Sequence, residues 1–317
     1  MNMNYDKADL TAIKSAGVFN EDVSAFLARQ LTYVRNKALD VPKAPLTAFQ
    51  VFPVQTDIPR GADSAVQPIY DGVGMAKVIS DYADDLPRVD VFATENVVRI
   101  KDLGVSYGFT DKEVENAAFA RINLSASKAT KSRRAIDLKI NEIAWKGDKD
   151  NKIIGFLDNP NISEYTIQAG KSGKTDFAHK TEEEILKDIT EFLQTVCDAT
   201  KQVEQPNTLL LAPSAYAHLA STRLSNSDKT LLDFVKYSHP ELTRVMKVGE
   251  LKGASADGKD MMACGYFDPD YIRLEIPNRF EQKPAERRNL ETVINCTASV
   301  AGVTVTVPMA FAVAKGC

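Results

Sequence analysis

The chain has 317 residues, of which 44% are hydrophobic and 26% are charged, and its formal net charge at pH 7 is -4. These values fit a globular protein long enough for more than one domain. They exclude a protein that coats nucleic acid through a strong overall positive charge, although local basic rows remain compatible with them. The start of the chain has no apolar signal core, and no aliphatic run could span a bilayer. We therefore expect a soluble protein made in a cytoplasm, without a membrane partner.

The residues that most often carry chemistry are scattered along the chain. Its four cysteines have no CxxC pair and are expected to be small buried side chains rather than a disulfide scaffold. Its three histidines lack the i, i+4 pairing of a zinc helix, and no GxSxG elbow is present. The sequence therefore predicts no catalytic residue, no cofactor site and no metal site.

The first third of the chain has little from which to build a compact core. A helix is expected from Asp22 to Leu39, within a polar lead that ends at Pro42 and Pro45. From Phe49 to Phe109, short strand-like runs alternate with glycine- and proline-containing loop signals. This alternation favours an extended hairpin or a projecting arm over a self-contained sheet.

A long helix follows. Thr110 is a candidate N-cap followed by acidic residues in the first turn, and Gly147 is a candidate C-cap. A helix reaching Trp145 has about 36 residues and is roughly 54 Å long at 1.5 Å per residue. At 100° per residue, one apolar stripe contains Ala118, Ile122, Ala126, Ala129, Ile136, Ile140 and Ile143.

The same helix carries a basic row. Six Lys or Arg residues and one acidic residue lie between positions 121 and 139, and Arg121, Lys128 and Lys139 follow one edge of the apolar stripe. A solvated helix face is the simpler interpretation. The alternative is contact with phosphate groups of nucleic acid, which would not depend on base sequence and would weaken with salt.

The remainder of the chain predicts mixed structure. Strands and helices interleave over residues 180–285, which is typical of an α/β arrangement. Over residues 290–313, two runs alternate apolar and polar side chains, and the parity changes at Ala301-Gly302. That change predicts a hairpin of two strands.

One stretch imitates a phosphate-binding loop. Residues 253–260 read GASADGKD, which satisfies GxxxxGK with Gly253, Gly258 and Lys259. However, Asp260 replaces the hydroxyl residue of that motif, and a strand rather than a helix is expected next. A solvated hairpin loop is the favoured interpretation, and a nucleotide-binding enzyme using Gly253–Lys259 is the alternative.

The order of these parts resembles the major capsid protein of tailed bacteriophages, whose fold is named after phage Hong Kong 97 and is shared with encapsulin shells. The likeness covers nearly the whole chain. It is carried by the junction WKGDKDNKIIGFLDNPNI after the long helix, and by PNTLLLAPSAYAHL, FDPDYIRLEIP and AGVTVTVPMAFAV later in the chain.

The resemblance implies an α+β fold in five parts. These are an N-terminal arm (1–48), an extended β-hairpin loop (49–109), a spine helix with the peripheral domain (110–180), an axial domain (181–285), and closing strands of the peripheral domain (286–317). A flat subunit of this kind tiles a shell, and its arm and hairpin bury their surfaces on neighbouring copies.

The implied function is structural rather than enzymatic. Copies of the chain are expected to self-assemble into the pentamers and hexamers of an icosahedral shell around double-stranded DNA, as part of a virion assembled in a bacterial host cytoplasm. A portal protein is the expected further partner, and scaffolding or decoration proteins are left open. Arg121, Lys128 and Lys139 would then face the lumen and contact the packaged DNA. An encapsulin-type nanocompartment is the alternative.

Overall fold

The computed structural model describes residues 43–73, 88–120, 124–225 and 228–317. The chain divides into two units, residues 1–45 and residues 46–317, and every helix and strand described lies in the second. The predicted helix over 22–39, the tip of the predicted hairpin, and Arg121 and Ile122 of the long helix lie outside the described residues.

The α-helices of the described residues are α1 (Ala48–Val51), α2 (Asp111–Ala120), α3 (Leu124–Lys146), α4 (Glu182–Ala199), α5 (Pro213–Ser221) and α6 (Leu231–Ser238). Three short 3-10 helices cover Phe177–His179, Gly249–Leu251 and Pro308–Ala310. Among these helices, none is both long and apolar enough to cross a membrane.

The strands are β1 (Val54–Gln55), β2 (Ser64–Val73), β3 (Asp90–Arg99), β4 (Lys101–Thr110), β5 (Gly147–Asp148), β6 (Ile153–Ile154), β7 (Ser163–Thr166), β8 (Thr208–Leu211), β9 (Arg244–Lys247), β10 (Met261–Gly265), β11 (Ile272–Glu275), β12 (Asn278–Gln282), β13 (Glu286–Arg288), β14 (Glu291–Val300), β15 (Gly302–Val305) and β16 (Phe311–Lys315). Within the described residues they form three larger sheets and two strand pairs. The larger sheets have the orders β7-β16-β10-β8-β9, β1-β11-β15 and β12-β14-β13, with β4 also paired to β14. The pairs are β2-β3 and β5-β6.

The two ends of the predicted long helix lie where the sequence predicts, at the start of α2 and at the end of α3. The Thr110 hydroxyl accepts from the Glu113 N–H and the Glu113 carboxylate accepts from the Thr110 N–H, both at 3.2 Å, which satisfies two main-chain donors at the start of α2. At the other end, Gly147 has φ +74°. A Cβ atom there would lie 2.4 Å from the Ile153 carbonyl oxygen, so only glycine fits this turn. Helix α2 and helix α3 lie on either side of residues 121–123.

The C-terminal half of α3 lies in a large core. Ile136, Ile140 and Ile143 are buried, as the apolar stripe predicts. Ala126, in the same predicted stripe, is exposed, so that part of the prediction is wrong for a single chain. Trp145 is fully buried, and its ring centroid lies 5.0 Å from that of Phe52 and 6.0 Å from that of Phe156.

The five-stranded sheet is buried on both faces. Alternate residues such as Leu210 and Ala263 face the core that contains Trp145. Their neighbours Leu209, Leu211 and Met262 face a second core, closed by the apolar sides of α4, α5 and α6. Both sets are fully buried, which explains why these strands read as continuous apolar runs rather than as an alternating pattern.

The hairpin predicted at Ala301-Gly302 is wrong. Strand β14 pairs with β4, β12 and β13, whereas β15 pairs with β11 in a different sheet. Gly302 does turn the chain, with φ +89°, but it carries the chain from one sheet to another. Apolar alternation reports which side chains face a core and does not report which strand lies alongside, so the sequence could not distinguish the two arrangements.

Strand pairing also crosses three of the predicted domain boundaries. Strand β7, before residue 180, and strand β16, after residue 285, both lie in the five-stranded sheet with β8, β9 and β10. Strand β4, within the predicted hairpin loop, pairs along its whole length with β14. The five-part division of the chain therefore remains a prediction, and the antiparallel hairpin itself is β2 and β3.

Candidate subunit interfaces

The β2-β3 hairpin has an outward face rich in exposed apolar side chains. The register places Val66 opposite Val97 and Gly72 opposite Val91, so that Val66, Tyr70, Val91 and Val97 share one face. These four side chains are 52%, 71%, 66% and 56% exposed. Contiguous exposed apolar surface of this kind is typical of a protein–protein interface.

The opposite face of the hairpin is anchored to the rest of the unit at its base. Ala65, Gln67, Asn96 and Val98 are half-buried there. Arg273 of β11 donates a hydrogen bond to the Gln67 side-chain oxygen. An isolated two-stranded sheet is only marginally stable in water, so this hairpin depends on its base and on whatever covers its outward face.

Further exposed apolar side chains lie around helix α2. Phe119 is 95% exposed and Val114 is 53% exposed. Leu290, which is 74% exposed, accepts a main-chain hydrogen bond from Asp111 at the start of the same helix. A fully exposed phenylalanine on a helix marks α2 as a second candidate contact surface.

The basic row on the long helix is only partly available to a ligand. Lys128 donates to the Gly108 carbonyl oxygen at 2.7 Å and to Glu113 at 3.3 Å, and its ammonium lies 4.7 Å from the centre of the Phe109 ring. Lys139 forms an ion pair with Glu142 at 3.0 Å and is nearly half exposed. The structure thus gives Lys128 a role in holding the helix to β4, leaves Lys139 on the surface, and does not describe Arg121.

The lysine contact has an electrostatic consequence. The pKa of the Glu113 carboxyl is held below its usual range, chiefly by the hydrogen bond from the Thr110 main chain and secondly by Lys128. This shift belongs to the junction between β4 and α2. It arises from capping and not from an acid–base site.

In the loop at 253–260, the carboxylate of Asp260 already occupies a main-chain N–H of the motif. The Asp260 carboxylate accepts from the Gly253 N–H at 2.8 Å and from the Ser214 hydroxyl. Strand β10 follows directly, as the sequence predicts, and pairs with β8 and β16. This loop does not close a hairpin as expected, because β9 and β10 do not pair with each other. It connects the 3-10 helix Gly249–Leu251 to β10.

The cysteine side chains are mostly built into the core. All four cysteines are unpaired, and three of them are buried. Burial raises the pKa of Cys264 well above its usual value and that of Cys317 to about 12, so neither thiol is a nucleophile near neutral pH. In the part of the chain that the structure describes, no three His, Cys, Asp or Glu side chains are grouped to hold a metal ion.

Sequence reasoning missed two buried polar residues at the base of the hairpin. Glu275 is 5% exposed and Thr304 is 2% exposed, and both lie in strands of the three-stranded sheet. A carboxylate at the end of the apolar run IRLEIP was the signal in the sequence, because an unpaired charge is rarely buried in a strand.

The described residues thus combine a hairpin with an exposed apolar face, helices α2 and α3, and a sheet that is buried on both faces. The family model for the major capsid protein matches residues 74–316, and the chain belongs to that family. It is therefore a structural protein of a capsid shell. A search of curated protein sequences finds no match.

Solved structures show the same fold at low sequence identity. The capsid of Myoviridae phage XM1 is 15% identical with a TM-score of 0.80, and the match covers 93% of this chain and 100% of that one. A structure from Mycobacterium phage Bobi is 17% identical with a TM-score of 0.63, over 91% and 96% of the two chains. A virus-like particle from Pyrococcus furiosus is 15% identical with a TM-score of 0.54, over 84% and 90%. The predicted Hong Kong 97-type capsid fold is confirmed.

Proposed function

We propose that copies of this chain assemble into the hexamers and pentamers of an icosahedral shell that encloses double-stranded DNA. The shell is built in the cytoplasm of a bacterial host and becomes the capsid of a virion. A portal protein at one vertex is the expected partner, and scaffolding or decoration proteins remain open. Assembly itself requires no chemistry from the chain.

The observation that carries the proposal is the outward face of the hairpin. Val66, Tyr70, Val91 and Val97 would bury their apolar surface on a neighbouring copy, at roughly 25 cal/mol for each Å² removed from water. Each contact alone is modest. In a closed lattice every subunit makes and receives the same contact, so the total is large enough to stabilise the shell.

A nanocompartment that holds an enzyme cargo is the second candidate. It is favoured by the likeness to the virus-like particle from Pyrococcus furiosus, which this chain matches with a TM-score of 0.54. The TM-score of 0.80 with the XM1 capsid supports the phage shell over this candidate. Shells purified from the native source would contain DNA in the first case and a protein cargo in the second.

The test of assembly uses the full chain expressed alone. Size-exclusion chromatography and negative-stain electron microscopy should show closed particles, or rings of five and six subunits. Val91→Asp should abolish them, because a charge would be buried at the contact. Val203→Asp is the matched control, since Val203 is 76% exposed but lies outside the hairpin. Assembly of the Val91 variant at the same concentration as the control would refute the role of the hairpin.

Contact of the basic row with packaged DNA is a separate proposal. Lys139 supports it, because its ammonium is partly exposed and its ion-pair partner, Glu142, lies on the same helix. Reversing the charge of Arg121 and Lys139 together should weaken retention of DNA, and the loss should shrink as salt is raised. Reversal at Lys128 is unsuitable for this test, because that side chain also holds β4 to the helix. Unchanged packaging in the double variant would dismiss the proposal.

A further inference from the structure

A charged pair is buried where the segment 167–180 meets helix α4. The Lys180 ammonium donates to the Asp188 carboxylate, and the two side chains are 1% and 6% exposed. The same ammonium donates to the Gln168 carbonyl oxygen, which lies 12 residues earlier in the chain. Lysine and aspartate are rarely buried this deeply, so the pair points to a specific role at this position.

The segment before this lysine has buried anchors and an exposed loop between them. Ile167 and Phe177 are each 2% exposed and belong to the second core. Residues 168–176, which we call the tip loop, are exposed or half-buried and contain two glycines. A hydrogen bond from the Lys171 N–H to the Glu184 carboxylate, at 2.9 Å, holds this loop to α4. A loop with so few buried side chains has little apolar packing to fix its arrangement.

The buried pair does not owe its place to a gain in stability. Burial raises the pKa of the Asp188 carboxyl, although Lys180 beside it lowers that pKa. Because the folded-state pKa is above the ordinary value, stability falls as pH rises through this range, and the ionised carboxylate is unfavourable at neutral pH. Replacing both partners of such a buried pair with apolar side chains is often neutral or stabilising.

We propose that the Lys180–Asp188 pair is a conformational lock, which fixes the tip loop in one arrangement against α4 and adds little to the free energy of unfolding. Gln168 begins the loop and Lys180 follows it, so the two hydrogen bonds of the ammonium join the ends of the loop to each other and to α4. A buried cation that must keep both acceptors permits few arrangements, whereas an apolar side chain packs in several. The lock acts within one subunit, so it does not depend on the proposed assembly.

The position of the tip loop determines the shape of the surface around it. A cleft of about 790 Å³ is lined by Lys171 and Lys180. A second cleft, of about 550 Å³, is lined by residues 173–178. His218 of α5 lines both clefts, so the loop and the α5 side chain lie between them. Release of the lock would let the loop move and join the two clefts.

The test replaces both partners with apolar side chains of similar size, Lys180→Met together with Asp188→Leu. Its matched control is Lys315→Met together with Glu164→Leu, which removes an ion pair of 2.8 Å whose side chains are 44% and 63% exposed. Either lock substitution alone leaves an uncompensated buried charge and should lower the Tm of the isolated subunit by roughly 10 °C. The second substitution should restore Tm to the wild-type value or raise it by a few °C.

Brief digestion of the isolated subunit with trypsin reports whether the loop is locked. Lys171 and Lys174 are exposed, and cleavage after them requires a loop that can leave its arrangement. The double lock variant should be cleaved there at least about tenfold faster than wild type, and the control variant at the wild-type rate. Equal cleavage of the lock variant and wild type would overturn the proposal. A double variant whose Tm stays as low as that of the single variants would also overturn it, because the pair would then stabilise the fold itself.

Hydrogen exchange of the wild-type subunit provides a check that needs no variant. In the locked loop, the Gly170 N–H donates to the Lys174 carbonyl oxygen and the Lys171 N–H donates to Glu184, both at 2.9 Å. A peptide covering 168–176 should therefore exchange at least about tenfold more slowly in the subunit than as a free peptide. Exchange at the rate of the free peptide would refute the lock.

Discussion

The C-terminal half of α3 and the β2-β3 hairpin differ in where their stability comes from. The helix half places Trp145 among Phe52 and Phe156, and a chain of hydrogen bonds links it to the start of the unit. In that chain, Trp145 donates to Thr47, and Asn141 donates to Glu250 at 2.6 Å and accepts from the Ala48 N–H at 2.9 Å. The hairpin is as regular in its strand pairing, yet its outward apolar side chains touch little within one chain.

The two regions therefore use their apolar residues for different purposes, folding in one case and assembly in the other. Apolar residues of the helix half are used to fold the subunit, so their removal should unfold it. In the proposed shell, apolar residues on the outer hairpin face contact a neighbouring copy, so their removal should spare the subunit and weaken the assembly. Similar side chains therefore have opposite consequences, according to whether their partner lies in the same chain.

The largest expected effect is that of Trp145→Ala. The side chain is fully buried against two phenylalanines, and truncating a buried aromatic costs about 3–5 kcal/mol of unfolding free energy. Urea denaturation of the isolated subunit should show this loss with little change in slope. Tyr70→Ala on the hairpin is the matched comparison and should change the subunit by less than about 0.5 kcal/mol. Similar losses for both would remove the distinction between the two regions.

A smaller effect is expected from Asn141→Leu. The substitution keeps the helix but leaves the buried Ala48 N–H unpaired, at a cost of about 1–3 kcal/mol, and it removes one donor from the partly exposed Glu250 carboxylate. Gln194→Leu on the exposed side of α4 provides the control. Thermal unfolding followed by circular dichroism should place the Asn141 variant between wild type and the Trp145 variant. A Tm equal to that of the control would show that the network does not anchor the start of the unit.

The smallest effect is expected from Lys128→Met, which should change the pKa of Glu113 at the junction between β4 and α2. Because the pKa of Glu113 is lowered in the folded chain, its contribution to stability is complete above the ordinary carboxyl range and is lost as pH falls through the lowered pKa. Lys128→Met should raise the pKa of Glu113 only partly, since the Thr110 main-chain hydrogen bond, which also lowers that pKa, is kept. Titration of the carboxyl carbon by NMR measures this shift. A full return to the ordinary value would assign the whole effect to Lys128.

Local patterns in the sequence predicted much of what one chain stabilises by itself. The N-cap at Thr110, the glycine turn at Gly147 and the buried isoleucines of α3 follow from spacing and residue type. The β2-β3 hairpin follows from strand-like runs that lack a core of their own. In each of these cases the residues that decide the structure lie close together along the chain.

Features that depend on distant pairing could not be predicted in this way. The period of two along β14 and β15 is the same whichever strand lies alongside, so the expected hairpin at Gly302 was wrong. Lys128 read as part of a basic row, because nothing near it in sequence identifies the Gly108 carbonyl as its partner. Glu275 and Thr304 were missed because their burial depends on three segments that are distant from one another in the sequence.

Hydrogen exchange measured by mass spectrometry, comparing the isolated subunit with the assembled shell, tests the central claim most directly. The account predicts that peptides covering 64–73 and 90–99 exchange quickly in the subunit and become strongly protected in the shell, because a neighbour covers the hairpin. Peptides covering 138–146 should be protected equally in both states. A hairpin that is already fully protected in the isolated subunit, or that gains no protection in the shell, would contradict the claim that neighbouring copies complete it.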